Sequence, residues 1–355
     1  MIPFKLDLGK ANEELREFQR QLADGIGALS EVGRVHPGCS EKDAVYAEDM
    51  VTLYRFRPLT KKPNGIPLLI VYALVNRPDM VDLQEDRSLV RGLLRAGYDL
   101  FLIDWGYPKA ADCYLTMDDY INGYLDTCVE KVKSVTGYPA VNLLGVCQGG
   151  TFSLCYAATH PRSVKNLITM VTPVDFHTED NLLSLWARHV DIDALVDAHG
   201  NIPGEYLNQI FLALKPYMLG PKKYHDLVSM LGDRDKLENF LRMEQWIADS
   251  PDQAGETFRQ FIKDLFQQNL LIKGDLRIGN HQVQLDRLSM PILNIYATQD
   301  HLVPPAASKA LAHHVDSGDY SELAFDGGHI GIYVSSKAQN QIPSAIDSWL
   351  LARNR

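Results

Sequence analysis

Leu143-Leu144-Gly145-Val146-Cys147-Gln148-Gly149-Gly150 decides the reading of this chain. The apolar run Ala140–Gly145 has the character of a strand, and Thr151–Thr159 that of a helix. Between them sits a cysteine with a glycine two residues to either side. This is the G-x-nucleophile-x-G elbow, with cysteine where serine is more familiar. A sharp strand-to-helix turn strains the nucleophile's backbone, and glycine at the flanking positions avoids a clash. The turn leaves the sulfur at a helix N-terminus, where free N–H groups and the helix dipole favour thiolate over thiol. Gly-rich strand–helix turns also occur as plain tight connections, so the motif needs partners elsewhere in the chain.

Outward from the elbow, β-rich runs recur at Val51–Phe56, Pro67–Tyr72, Tyr98–Asp104, Leu167–Val171, Ile292–Ala297 and Glu322–Phe325. Helical patterns separate several of them. In Asp118–Val135, Ile121, Leu125, Val129 and Val132 form one apolar stripe. Fully apolar strands alternating with helices predict an α/β protein with a mainly parallel sheet covered on both faces. Residues 1–35 read as an N-terminal helical segment with Leu15, Phe18, Leu22 and Ile26 at helical spacing. The alternation breaks near Asp175 and resumes near Pro291. The interval is helical in Glu205–Leu219, Asp235–Ala248 and Gly255–Leu271, and Phe258, Phe261, Ile262, Leu265 and Phe266 give the last a strong apolar face. The expected organisation is a catalytic core of residues 1–174 and 291–355, with 175–290 inserted as a helical cap. A separately folded helical domain is the alternative; the cap is preferred because the sheet needs the Ile292 strand to close its core.

Composition narrows the function. The chain has 355 residues, 46% hydrophobic and 23% charged, which excludes a disordered or fibrous protein. The longest apolar run, Leu68–Val75, falls far short of the ~20 residues of a membrane span. The opening residues MIPFKLDLGKANEEL lack the apolar core of a secretory signal, so cytoplasmic residence is the expectation. A formal charge of −10 is the wrong sign for gripping nucleic acid over a broad face. The five cysteines (Cys39, Cys113, Cys128, Cys147, Cys155) are odd in number and lack CxxC spacing, which argues against disulfides and structural zinc. There is no HExxH, GxxxxGK or GxGxxG, so neither a metal centre nor a nucleotide cofactor is expected.

The partners of Cys147 lie beyond the interval. NIYATQD ends a strand with Asp300, and LAFDGGHIG places His329 in a Gly-flanked loop after the last strand. The order nucleophile, acid, histidine, each just past a strand, is that of α/β-hydrolases. His329 can take the proton of Cys147, and Asp300 can hold its ring. His301 reads as surface or supporting, Asp326 as structural and Cys128 as a packed core thiol. The oxyanion hole is expected to combine the Gln148 N–H with that of Leu74 or Val75. Cysteine itself is informative. A thiolate exchanges one thioester for another at nearly equal free energy, whereas serine would hold the acyl group as a more stable oxyester. A cysteine triad beneath an apolar cap therefore suits acyl transfer from a thioester to an alcohol with water excluded.

GVCQGG, ATQDHLVPP, the GGHIG loop and FLIDWGYP (Phe101–Pro108) closely resemble the polyhydroxyalkanoate synthases, as do WIADSPDQAGE (Trp246–Glu256) and QNLLIKGDL (Gln268–Leu276) in the interval. In length the chain looks most like the catalytic subunit of the class III, two-component enzymes; class IV catalytic subunits are of similar size. The resemblance implies an acyltransferase that polymerises (R)-3-hydroxyacyl-CoA, chiefly 3-hydroxybutyryl-CoA, into polyester with release of coenzyme A. It implies Cys147 as the acylated nucleophile, His329 as its base, and Asp300 assisting His329 on the incoming hydroxyl. It further implies a homodimer, a second non-catalytic subunit, residence on cytoplasmic polymer granules, and no cofactor beyond the substrate's own coenzyme A. Lys215, Lys222, Lys223, Lys263 and Lys273 are candidates for binding coenzyme A, though a solvated surface role is preferred for each. The rival readings are a Cys-dependent hydrolase of the dienelactone hydrolase or thioesterase kind, and an idle α/β-hydrolase fold used as a scaffold. The helical interval opposes the first and the complete triad order the second.

Overall fold

Eight strands form one sheet: β1 (Lys42–Glu48), β2 (Val51–Phe56), β3 (Leu68–Val71), β4 (Leu100–Asp104), β5 (Val141–Val146), β6 (Val164–Met170), β7 (Ile292–Ala297) and β8 (Tyr320–Phe325). Their spatial order is β1-β2-β4-β3-β5-β6-β7-β8. The computed structural model describes residues 38–60 and 65–354, together with Glu13 and Arg16. Those two aside, the N-terminal helix expected over 1–35 lies outside the described residues.

Every residue of β3, β4 and β5 is buried, as the unbroken runs LLIV, LFLID and VNLLGV require of strands covered on both faces. Alternate side chains serve opposite faces. Leu69, Phe101 and Leu143 pack with α2 (Asp126–Thr136) and α3 (Gln148–Thr159). Leu68, Leu100 and Leu144 pack with α1 (Leu89–Arg95) and the C-terminal helix Ser336–Leu351. Ile121, Leu125, Val129 and Val132 are all completely buried. From β3 to β8 each neighbouring pair is parallel, so β3, β5, β6, β7 and β8 release their chains at one edge of the sheet. That common edge is where the candidate functional residues gather.

The structure adds β1, which the sequence reading lacked. Its KDAVYAE is half-exposed and hydrogen-bonded only to β2, so it shows neither a buried run nor a clean alternation. β6 begins at Val164 rather than Leu167, because exposed Lys165 interrupts the apolar signal. Helix α3 begins at Gln148, directly after the cysteine.

Between β6 and β7 the chain forms helices at Leu182–Ala187, Ile192–His199, Gly204–Leu214, Lys223–Met230, Arg234–Ala248 and Gly255–Gln260, then a wider turn of helix at Phe261–Gln267. Phe261, Leu265 and Phe266 pack with Phe152 and Phe176 in the same apolar cluster as β3 to β6. Polar ties fasten the segment to loops of the sheet: Trp246 Nε1 donates to the Arg77 carbonyl at 2.7 Å, and the Tyr107 hydroxyl to Asp249 at 2.6 Å. Among the described residues no helix is long and apolar enough to cross a membrane.

Phe152 joins α3 to this segment, its ring 6.1 Å from Phe261 and 6.4 Å from Tyr120. It is fully buried, so Phe152→Ala is expected to cost about 3–5 kcal/mol in denaturant unfolding. A loss below 1 kcal/mol would mean that the cluster does not tie the segment to the sheet.

Candidate active site

Cys147 stands between β5 and α3 with φ 53° and ψ −122°, a conformation that side chains other than glycine rarely adopt. Its N–H donates to the Met170 carbonyl and its carbonyl accepts from Gly150 N–H, both at 2.9 Å. Two glycines make the turn possible. A β-carbon on Gly145 would lie 2.5 Å from Gly150 Cα, and one on Gly149 would lie 2.2 Å from the Val71 carbonyl oxygen. The cysteine is the N-cap of α3, so its sulfur meets the positive end of the helix.

Asp300 follows β7 and His329 follows β8. His329 Nδ1 and Asp300 Oδ2 are 2.7 Å apart and buried. The other carboxylate oxygen accepts the Leu302 and Val303 N–H groups at 2.8 and 2.9 Å. Asp300 is thus held by its own turn and presents one oxygen to the imidazole. Burial alone would push the His329 pKa down. The charges of Asp300 and Cys147, reinforced by hydrogen bonding to each, more than reverse this and carry it to about 10. The structure therefore brings together the three residues singled out from sequence, at the ends of three different strands. Such a set can pass a proton from the cysteine to the imidazole, whose cation Asp300 stabilises.

The expected oxyanion donors separate. The Gln148 N–H opens α3 and meets no acceptor among the described residues, and the same holds for Val75 N–H. Leu74 is a correction. Its N–H donates to the Gln148 side-chain Oε1 at 3.1 Å, because a glutamine in the first turn of α3 is long enough to reach the loop after β3. Trp105 Nε1 fastens the same loop by donating to the Tyr72 carbonyl at 2.8 Å. Neither side-chain contact was legible beforehand; Trp105 lay in FLIDWGYP without an assigned role. Tyr333 was missed as well. Its ring stands edge-on to His329 with centroids 6.2 Å apart, and nothing in GGHIGIYV separates it from an ordinary core tyrosine.

The lesser candidates take other places. Asp326 pairs with Lys337 at 2.6 Å rather than with His329. His301 is half-buried, and burial followed by the Lys215 charge lowers its pKa. Cys128 is a core thiol whose pKa burial raises to about 12. Lys222, Lys223 and Lys263 pair with Asp226, Glu244 and Asp193, and Lys273 donates to the Gln268 carbonyl. Lys215 is exposed.

Comparison with known proteins bears on the fold and the family. Residues 66–336 match the α/β-hydrolase fold family. The chain is 56% identical to the poly(3-hydroxyalkanoate) polymerase subunit PhaC of Allochromatium vinosum, covering 99% of this chain and 100% of that one. It is 55% identical to the PhaC subunit of Thiocystis violacea over the full length of both, and 53% identical to that of a Synechocystis strain, covering 99% and 96%. A thermophilic esterase from Thermogutta terrifontis shares the fold at a TM-score of 0.51 and 14% identity, covering 90% of this chain and 100% of that one.

The charge of Asp300 is the largest influence raising the His329 pKa. Asp300→Asn is therefore expected to lower it, read by NMR titration of the ring; an unchanged titration would show that Asp300 does not set it. A folded pKa of about 10 against 6.5 unfolded makes the pair's contribution to stability full below pH 6.5. It fades as the pH rises towards 10. Denaturant unfolding should accordingly show the wild-type advantage over Asp300→Asn shrinking between pH 6 and pH 9.

Proposed function

The chain belongs to the poly(3-hydroxyalkanoate) polymerase family within the α/β-hydrolase fold, and we propose that it polymerises (R)-3-hydroxyacyl-CoA, chiefly 3-hydroxybutyryl-CoA, through a thioester on Cys147. Polyester synthesis by acyl transfer is the activity of the family. The observation that carries the finer reading is the convergence of Cys147, at a helix N-terminus, on a buried His329 already paired with Asp300.

In the first step the Cys147 proton passes to His329, and the sulfur attacks the thioester carbonyl of the substrate. A carbon–sulfur bond forms and the carbonyl electron pair moves onto oxygen. Collapse of the oxyanion breaks the bond to coenzyme A, which leaves with the proton held by His329. In the second step a 3-hydroxyl of another unit gives its proton to His329 while its oxygen attacks the Cys147 thioester. A carbon–oxygen ester bond forms, and Cys147 leaves as thiolate beside the imidazolium. Asp300 stabilises that cation in both steps. The acyl carrier is the protein's own sulfur, so no cofactor is needed beyond the coenzyme A of the substrate.

Residues 175–290 act in this reading as a cap over the strand ends that keeps water from the acyl-cysteine. The ties from Trp246 to Arg77 and from Asp249 to Tyr107 support it, because both end on loops leaving β3 and β4. A homodimer, a second non-catalytic subunit of the class III kind and attachment to polymer granules complete the proposal.

The test is mass spectrometry of the protein mixed with 3-hydroxybutyryl-CoA, alongside a thiol assay for released coenzyme A. Sustained release with an acyl or polyester adduct on Cys147 is expected, and Cys147→Ala should lack both. If free 3-hydroxybutyrate were the only product, with and without a partner subunit, the polymerase reading would be overturned.

A further inference from the structure

The loop after β3 passes directly over the elbow. The Tyr72 carbonyl faces Gly149 so closely that a β-carbon there would stand 2.4 Å from its oxygen, and Trp105 Nε1 donates to the same carbonyl. A trans peptide sets the Ala73 N–H opposite that carbonyl, so it points away from the elbow. The next N–H, of Leu74, is taken by Gln148 Oε1 in a buried hydrogen bond of 3.1 Å. Val75 packs in the same apolar cluster as Cys147, and its N–H meets no acceptor among the described residues.

We propose that Gln148 is a positioning residue: by accepting the Leu74 N–H, its side-chain amide holds the loop after β3 so that Val75 N–H, opposite the main-chain N–H of Gln148 itself, receives the oxyanion formed when Cys147 attacks a thioester. One residue then sets both halves of the hole, its backbone supplying one donor and its side chain locating the other. The assignment rests on the polymerase reading only for the identity of the thioester. A helix start fixes the Gln148 backbone, but a loop can shift, and an oxyanion hole works only when its donors stand where the charge develops. Gly149 and Trp105 anchor the loop at Tyr72; Gln148 anchors it two residues further on. Without an acceptor at that point, the buried Leu74 N–H would lose its partner and the peptide carrying Val75 N–H would be free to turn.

Gln148→Met keeps the length of the side chain and removes the amide acceptor. In steady-state release of coenzyme A from 3-hydroxybutyryl-CoA, kcat should fall about 10- to 100-fold, somewhat less than deletion of a donor outright, with KM within about twofold of wild type. Alkylation of Cys147 by iodoacetamide, which uses the Cys147–His329 pair but no oxyanion hole, should be unchanged. Amide hydrogen exchange at Leu74 should accelerate, reporting loss of the bond directly. An unaltered kcat would overturn the proposal. So would an alkylation rate that falls in step with kcat, since the effect would then lie on Cys147 or His329. If the unaltered protein released no coenzyme A with or without a partner subunit, the polymerase reading would fail instead, and exchange at Leu74 would alone decide whether Gln148 holds the loop.

Discussion

The contact of Gly149 with the carbonyls of Val71 and Tyr72 is the constraint on which the rest of the site depends. It allows α3 to begin against the end of β3, with no side chain between them. Cys147 pays for that closeness with a positive φ, a cost of about 1–3 kcal/mol that persists only because the surrounding structure fixes it. Hydrogen bonds from Cys147 N–H to Met170 and from Gly150 N–H to Cys147 supply that fixing, and the buried strands on either side of β5 make it rigid. A nucleophile held in this way cannot relax into an ordinary helix start.

Parallel strands then do the assembling. The loops bearing Asp300 and His329 are near one another because β7 and β8 are parallel neighbours and finish at the same edge of the sheet. The electrostatics of the pair follow from burial. A desolvated imidazole would ordinarily lose its proton more easily, but two acidic groups beside it reverse the balance. Asp300 remains a dependable partner because its second oxygen is held by two backbone N–H groups of its own turn, so the carboxylate cannot swing away from the ring.

The segment between β6 and β7 is attached to both apolar clusters of the core. Phe261 and Phe266 share the apolar cluster beneath α3, so that end belongs to the core. Trp246 is itself buried in the second apolar cluster, with Tyr72 and Val146, and it and Asp249 add hydrogen bonds to the loops after β3 and β4. The Trp246 tie ends on the carbonyl of Arg77, whose side chain pairs with Asp104 at 2.5 Å. The loop beside the proposed oxyanion hole is thus linked both to β4 and to the segment above it.

Much of this was written in local pattern. The glycine spacing around Cys147, the apolar runs of β3, β4 and β5, and the acid and histidine just beyond strands all follow from rules that act over a few residues, and the α/β arrangement was legible from them. The half-exposed β1 was not, because an edge strand carries little apolar signal. Nor could sequence show that the Leu74 N–H is engaged, since that depends on where a glutamine 74 residues further along the chain sends its side chain. What the sequence determined by itself was the chemistry available: a cysteine at an elbow, a histidine, an aspartate and their order. What tertiary structure alone decided was which N–H groups around the elbow are already spent within the protein. Hydrogen bonds between distant segments have no periodicity to announce them, and their partners are fixed only once the sheet has brought the loops together.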